Sequence, residues 1–208
     1  MTGSDSALLI IDVQKDFCAR GALPVPEGDL VVPPLNRYIA DAIKRGWPVY
    51  ATRDWHPPVT KHFRQYGGLW PPHCVQESDG ATFHADLQLP PSVIVISTGE
   101  SPEDEGYSAF EGRRSDGTAL LDDLRQRGIR HVYVGGLATD YCVKHSVLDA
   151  RRAGLEVTVL ADAIAGIDVN AGDSQRALDD MRAAGARVSG HTSQDSIDET
   201  KRGNSNRR

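Results

Sequence analysis

Short apolar runs that end at a polar residue alternate along this chain with segments of helical spacing. An apolar run of about four to eight residues is typical of a buried strand, whereas apolar residues three and four apart are typical of a helix. These patterns predict strands over residues 7–12, 47–54, 92–98, 131–134, 156–161 and 186–189. They predict helices over residues 30–44, 118–127, 140–153 and 171–184.

Strands that alternate with helices indicate a parallel sheet covered by helices on both faces. We therefore predict an α/β fold, a three-layer αβα domain with a mostly parallel six-stranded sheet. Residues 1–193 show no repeat or linker and are predicted to form a single domain. Residues 194–208 are polar and lack apolar anchors, which predicts a mobile tail.

Ligands bind such sheets at the carboxyl ends of the strands. Asp12, Asp54 and Thr98 all lie at predicted strand ends, and so does the turn over residues 138–142. This convergence predicts a functional site at that edge of the sheet.

Cys142 follows the predicted strand 131–134 and a glycine turn, and it lies in the first turn of a helix that opens near Asp140. Free backbone N–H groups and the helix dipole stabilise a thiolate at such a position. Cys142 is therefore a candidate nucleophile for acyl transfer. The alternative is that Cys142 is a small buried apolar residue.

Asp12 follows four apolar residues, where a carboxylate is costly unless it is paired or used. With Cys142 at a neighbouring strand end, it is a candidate general base for the thiol and general acid for the leaving group. The alternative is a carboxylate that only caps the next turn.

The segment over residues 55–80 is long, lacks a clear period and is rich in proline, glycine and histidine, which is typical of a functional loop. Asp54 and His56 lie two residues apart, on one face of an extended segment, and His62 and His73 supply further imidazoles. Such ligands suit Zn²⁺ or Fe²⁺. The alternative is that these are surface loop histidines. Four of the chain's seven histidines fall within residues 56–84, which favours the metal.

Aromatic side chains in loops at the same edge could wall a pocket for a flat ligand. They are Phe17, Trp70, Tyr107 and Phe110. The alternative is that these rings only anchor their loops.

Composition narrows the function classes. The chain has 208 residues, 39% hydrophobic and 25% charged, with a formal charge of −6 and a pI near 5.6, which argues against a nucleic-acid or membrane-surface partner. It has no apolar run of membrane-spanning length and no signal-peptide pattern at its start. The chain has three cysteines that lie far apart in the sequence, which favours free thiols in a reducing cytoplasm.

Taken together, the motifs resemble those of the nicotinamidase/pyrazinamidase family, in the isochorismatase-like cysteine hydrolase superfamily. The resemblance spans residues 7–189. It rests on five ordered motifs: Ile10-Ile-Asp-Val-Gln-Lys-Asp-Phe17, Asp54-Trp-His56, Trp70-Pro-Pro-His-Cys74, Tyr107-Ser-Ala-Phe110 and Gly136-Leu-Ala-Thr-Asp-Tyr-Cys-Val143.

The resemblance implies an amidohydrolase in which Cys142 attacks a carboxamide carbon, giving a thioester and ammonia, before water releases the acid. Asp12 takes the thiol proton and passes it to the ammonia. The N–H groups of Ala138 and Cys142 form the oxyanion hole, and the Leu137–Ala138 peptide is expected to be cis.

The resemblance also implies the binding groups and the cellular setting. A divalent metal binds the pyridine nitrogen, with Zn²⁺ favoured and Fe²⁺ or Mn²⁺ as alternatives. Its expected ligands are Asp54, His56 and His73, with His62 as a further candidate. Phe17, Trp70, Tyr107 and Ala138 are expected to contact the substrate. The protein is expected to form a homo-oligomer, a dimer or larger. It is expected to act in NAD salvage in the cytoplasm.

One position departs from the family pattern. A catalytic lysine is expected nine residues before Tyr107, and Thr98 stands there. Because threonine lacks the charge that favours an ionised aspartate, three explanations are open. The enzyme is impaired or engineered at this position, it is a relative that acts on another amide, such as a non-pyridine carboxamide, or that only binds a small ligand, or another cation substitutes. The substitute candidates nearest in sequence are Lys15, Arg53 and Lys144.

Overall fold

A six-stranded parallel sheet forms the centre of residues 5–189, the part of the chain that this computed structural model describes. The strands are Ser6–Ile11 (β1), Val49–Asp54 (β2), Ile94–Thr98 (β3), His131–Leu137 (β4), Glu156–Ala165 (β5) and Arg187–Ser189 (β6). Their order is β3-β2-β1-β4-β5-β6, and every pair is parallel, where the sequence predicted a mostly parallel sheet. The tail predicted over residues 194–208 lies outside the described residues.

Four α-helices cover the sheet. They are Val32–Arg45 (α1), Leu120–Gln126 (α2), Lys144–Arg152 (α3) and Asp173–Ala183 (α4). Each lies within one to four residues of its predicted bounds. Prolines occupy the first turn of α1, where no N–H is needed, and Gly46 ends that helix with a φ of 69°. Within the described part of the chain, no helix has the length and apolar character needed to cross a bilayer.

Two separate apolar cores show the three-layer arrangement. Along β1, Leu8 and Ile10 pack into the core beneath α1, whereas Leu9 and Ile11 pack into the core beneath α2, α3 and α4. Side chains of a strand alternate between the two faces of a sheet, so a strand buried on both faces reads as a continuous apolar run. The αβα fold is therefore confirmed.

The strand β4 is longer than predicted, because two glycines expected in a turn continue the sheet. Gly135 pairs with Ile10 and Gly136 with Ile11. A Cβ on Gly136 would lie 2.0 Å from the Ile11 carbonyl oxygen, so only glycine fits this close approach. The predicted end at Val134 was wrong for this reason.

The sequence also misplaced the start of the helix that carries the candidate nucleophile. A π-helical turn over Thr139–Val143 precedes α3, and Cys142 lies in that turn rather than in the first turn of an α-helix. Single π-helical turns are frequent at functional sites. Similarly, β5 continues four residues beyond its predicted end at residue 161, since it pairs with β4 again after a bulge.

Candidate active site

Three side chains from neighbouring strand ends converge at the carboxyl edge of the sheet. Asp12 follows β1, Asp54 ends β2, and Cys142 lies in the turn after β4. Because β1 lies between β2 and β4, these ends are adjacent, and one ligand atom of each residue lies within 4.8 Å of the others. All three are buried. The edge predicted from the sequence is the place where these residues meet.

Asp12 is held by Thr52 and lies close to the thiol. Its backbone has a left-handed φ of 47°, its N–H donates to Thr52 Oγ1 at 3.1 Å, and Thr52 Oγ1 donates to its Oδ1 at 2.5 Å. The Cys142 Sγ lies within 4.8 Å of an Asp12 carboxylate oxygen. Burial and then the nearby Asp54 carboxylate raise the pKa of Asp12, while the Thr52 hydroxyl and the nearby thiol oppose that shift.

Burial also determines the charge state of Cys142. Burial, followed by the Asp12 and Asp54 carboxylates, raises the pKa of its thiol. The sequence predicted that backbone N–H groups and a helix dipole would stabilise a thiolate. In the structure, burial and the two carboxylates outweigh that effect. Burial therefore favours the protonated thiol, and the Asp12 carboxylate lies close enough to serve as a candidate acceptor for its proton.

The Thr98 hydroxyl bonds Asp54. It lies 3.1 Å from Asp54 Oδ1 and 3.2 Å from the Arg53 carbonyl oxygen, both of which accept hydrogen bonds. The end of β3 thus contributes a neutral donor to Asp54 where the resemblance implied a lysine.

The three candidate substitute cations are engaged elsewhere. Lys15 Nζ pairs with Asp79 at 2.6 Å, and Lys144 Nζ pairs with Asp180 at 2.7 Å. The Arg53 guanidinium stacks on the Trp55 ring, 3.7 Å from its centroid. Over residues 5–189, no lysine or arginine forms an ion pair with Asp12, so the acid–base pair of this site lacks a cationic partner from the described chain.

A second cluster lies beside this pair. The imidazoles of His56, His62 and His73 each place a nitrogen within 4.8 Å of the other two, and all three are buried. Asp54 Oδ2 lies 3.5 Å from His56 Nε2 and 3.6 Å from His73 Nε2. The structure thus brings together all four metal ligands proposed from the sequence, His62 included. His84, from the same histidine-rich segment, instead bonds Asp29 at 3.3 Å.

The donor set fits a divalent metal ion. His73 Nδ1 lies 2.8 Å from the Pro71 carbonyl oxygen, which can only accept, so Nδ1 is the donor and Nε2 is the nitrogen that faces Asp54. Both ring nitrogens of His56 are buried and have no hydrogen-bond partner among the described residues. Burial lowers the pKa of His62 to about 3, so its ring is neutral, the form that binds metals. Neutral imidazoles and one carboxylate form a typical Zn²⁺ set.

Gly99 closes the wall behind His56. Its φ is 65°, and a Cβ there would lie 2.4 Å from His56 Cε1. The backbone after β3 can approach this imidazole closely because residue 99 is glycine.

Aromatic rings surround the histidines. The Phe17 and His73 ring centroids lie 5.4 Å apart, as do those of Tyr107 and His62. Trp70 Nε1 donates to the Tyr107 hydroxyl at 2.9 Å, which fixes the two rings together. The three substrate-binding rings named from the sequence therefore line the same site. Phe110, the fourth aromatic candidate, packs into the core beneath α2, α3 and α4.

Sequence comparison with known proteins identifies the family to which this chain belongs. The model of the isochorismatase domain matches residues 6–193. This chain belongs to the isochorismatase family. Nicotinamidase of Escherichia coli is 44% identical over 199 residues, covering 88% of this chain and 93% of that protein. Nicotinamidase/pyrazinamidase of Mycobacterium tuberculosis is 41% identical over 185 residues, covering 88% and 97%.

A solved structure extends the likeness to the fold. Pyrazinamidase of Pyrococcus horikoshii, crystallised in complex with zinc, superposes on this isochorismatase-family chain with a TM-score of 0.84 at 43% identity. The match covers 90% of this chain and 100% of the other. Together these relatives identify the chain as an isochorismatase-family amidohydrolase.

Three residues of this isochorismatase-family site escaped the sequence reasoning. Gln14 Nε2 donates to the Asp54 and Ala81 carbonyls, and its Oε1 accepts from the Asp54 N–H. Thr52 bonds Asp12, and Tyr141 packs edge-on against Trp70 with ring centroids 4.8 Å apart. The position beside Cys142 was the available signal for Tyr141, whereas nothing in the local sequence marked Thr52 or Gln14.

Proposed function

We propose that this protein hydrolyses nicotinamide, or a similar ring carboxamide such as pyrazinamide, to the acid and ammonia. The observation that carries the proposal is the buried Cys142 thiol, which lies within 4.8 Å of an Asp12 carboxylate oxygen beside a cluster of three histidines and Asp54. Similarity to nicotinamidases over most of the chain supports this substrate class.

In the proposed reaction, Cys142 Sγ attacks the amide carbon while its proton passes to the Asp12 carboxylate. Asp12 then donates that proton to the nitrogen as the C–N bond breaks, which releases ammonia and leaves a thioester. Water attacks the thioester carbon, Asp12 accepts one water proton, and the C–S bond breaks. The thiol regains a proton as the acid leaves. This assigns one general acid–base residue to both half-reactions.

The remaining assignments concern binding. We assign the N–H groups of Ala138 and Cys142 to the oxyanion hole, which stabilises negative charge on the amide oxygen. The Leu137–Ala138 peptide is cis in the structure, as the resemblance implied. Phe17, Trp70 and Tyr107 would contact the ring, and Ala138 would lie against the carboxamide.

Asp54, His56, His62 and His73 would hold a divalent metal ion, with Zn²⁺ favoured by the imidazole-rich donor set. When bound, such an ion supplies a Lewis acid that binds and orients a ring nitrogen of the substrate. The pyrazinamidase of Pyrococcus horikoshii, crystallised with zinc, supports this part of the proposal.

An ammonia-release assay on the purified protein tests the function. We expect turnover of nicotinamide and pyrazinamide that is at least about tenfold faster than that of propionamide, because only the ring amides offer a nitrogen to the metal. Chelation should abolish the preference, and added Zn²⁺ should restore it. Faster hydrolysis of aliphatic amides would instead indicate a non-pyridine amidase.

The missing cation beside Asp12 favours one alternative, a relative that binds the carboxamide without turning it over. Calorimetry with nicotinamide distinguishes the two functions. Metal-dependent binding without ammonia release would establish the binding protein and overturn the proposed hydrolysis.

We further propose that the amidase acts in NAD salvage in the cytoplasm as a homo-oligomer. Light scattering on the purified protein checks the assembly state, and a monomeric mass would contradict a dimer or larger assembly.

Gln14 provides a prediction for the metal cluster. Gln14→Leu removes the side-chain hydrogen bonds that hold the Asp54 backbone, so metal affinity should fall by about 10–100-fold, as is typical when a partner of a metal ligand is lost. Titration with Zn²⁺ against a competing chelator measures this change. Gln175→Leu, on the exposed side of α4, is the matched control and should leave affinity unchanged. Equal affinity in both variants would remove Gln14 from the metal site.

A further inference from the structure

We propose that Thr52 is a positioning residue that holds the Asp12 carboxylate against the Cys142 thiol, in a site that lacks the family's lysine. This inference rests on the proposed function, because it assigns Asp12 as the base for Cys142. Thr52 is a residue of β2. Among the described residues, its hydroxyl bonds Asp12, and it bonds neither Cys142 nor the proposed metal ligands.

Thr52 engages Asp12 at two points. Its hydroxyl accepts from the Asp12 N–H and donates to the Asp12 Oδ1. One hydroxyl therefore fixes both the backbone and the side chain of the base. Thr52 is only 1% exposed, so water does not compete for these bonds.

Asp12 needs such support because of its own conformation. Its φ of 47° lies in the left-handed region, which is strained for a residue other than glycine. The surroundings must therefore hold the backbone in place. Among the described residues, Thr52 is the side chain that hydrogen-bonds the Asp12 carboxylate, and the Cys142 thiol lies within 4.8 Å of it. With the thiol as reactant, Thr52 is the partner that can orient the base.

The residue at the end of β3, Thr98, does not hydrogen-bond Asp12, so Thr52 orients this carboxylate. A lysine at residue 98 could reach the acid–base pair with its charge, but the Thr98 hydroxyl is bonded to Asp54 and to the Arg53 carbonyl instead. Proton transfer depends on donor and acceptor geometry as well as on charge. In this chain, a neutral hydroxyl supplies the geometry.

Two substitutions separate positioning from structure. Thr52→Val keeps the β-branched shape suited to a strand and removes the hydroxyl, whereas Thr52→Ser keeps the hydroxyl. Thr158→Val is the matched control, since Thr158 is a buried strand residue of β5 whose hydroxyl bonds His131 at 2.9 Å. Each variant is purified with metal and compared with the unmodified protein.

Two readouts are measured. The first is kcat and KM for nicotinamide, and the second is the rate at which iodoacetamide alkylates Cys142, followed by peptide mass spectrometry. We expect Thr52→Val to lower kcat and the alkylation rate by about tenfold each, the order expected for loss of one charge-assisted hydrogen bond. KM should change less than about twofold, because the ring contacts are untouched. Thr52→Ser and Thr158→Val should match the unmodified protein.

The outcomes separate this inference from the proposed function. If the unmodified protein releases no ammonia, the proposed function fails, and the alkylation rates still test Thr52. An unchanged alkylation rate in a folded Thr52→Val variant would overturn the positioning role. So would equal losses in Thr52→Val and Thr52→Ser, because the hydroxyl would then not be the active feature.

Discussion

Cys142→Ala should reduce ammonia release from nicotinamide by at least about 10⁴-fold, because it removes the atom that forms the covalent intermediate. Asp12 would remain, but a base without its nucleophile retains only the weak activation of water. Steady-state kinetics with purified, metal-loaded protein measures the loss. Acid quenching during turnover adds a second measurement, since the unmodified protein should carry the acyl group on the peptide that contains Cys142.

The matched control is Cys18→Ala. Cys18 is also a buried free thiol, but it packs in the core beneath α1 and plays no part in the proposed reaction. This variant should keep both turnover and the trapped acyl group. Substantial hydrolysis by Cys142→Ala, or an acyl group trapped elsewhere, would show that the nucleophile is misassigned.

Thr98→Lys should raise kcat/KM for nicotinamide by about tenfold or more. A cation within about 4 Å of a partly buried carboxylate contributes several kcal/mol at the effective dielectric of a protein site, and part of that favours ionised Asp12. Because burial and Asp54 raise the pKa of Asp12, an added lysine should lower it again. The rise of kcat/KM with pH should therefore begin at lower pH in the variant.

Thr98→Met serves as the control for size, since methionine approaches the length of lysine but carries no charge. Both variants lose the hydroxyl bond to Asp54, so their difference isolates the charge. Unchanged rates in Thr98→Lys would mean that the site does not depend on a cation at this strand end. An equal gain in both variants would point to packing instead.

The ends of β1 and β2 were predictable, because a local signal marks each of them. An apolar run that stops at a carboxylate marks both the strand and its carboxyl end, and parallel topology then brings Asp12 and Asp54 together. The end of β4 was predicted too early because of Gly135 and Gly136. Glycine usually marks a turn, and only the close approach of Ile11 explains why these two continue β4.

The supporting residues could not be predicted in this way. Thr52 and Gln14 act across 40 positions of sequence, through contacts between the ends of β1 and β2. Neither residue type signals such a role by itself, since threonine suits any strand and glutamine any loop. Likewise, the sequence left three substitute cations open, and only their ion pairs and ring contacts show that none of them bonds Asp12.

The strand order β2-β1-β4 places the groups of this site on three different strands. The strand β2 ends at the carboxylate of the imidazole cluster, β4 precedes the turn that carries the thiol, and β1 ends between them at Asp12. In the proposed reaction, ligand binding and bond cleavage thus depend on different strands, with the proposed acid–base residue between them. A change at the end of β3, such as threonine for lysine, can therefore alter the charge of the site while leaving the nucleophile and the imidazoles in place.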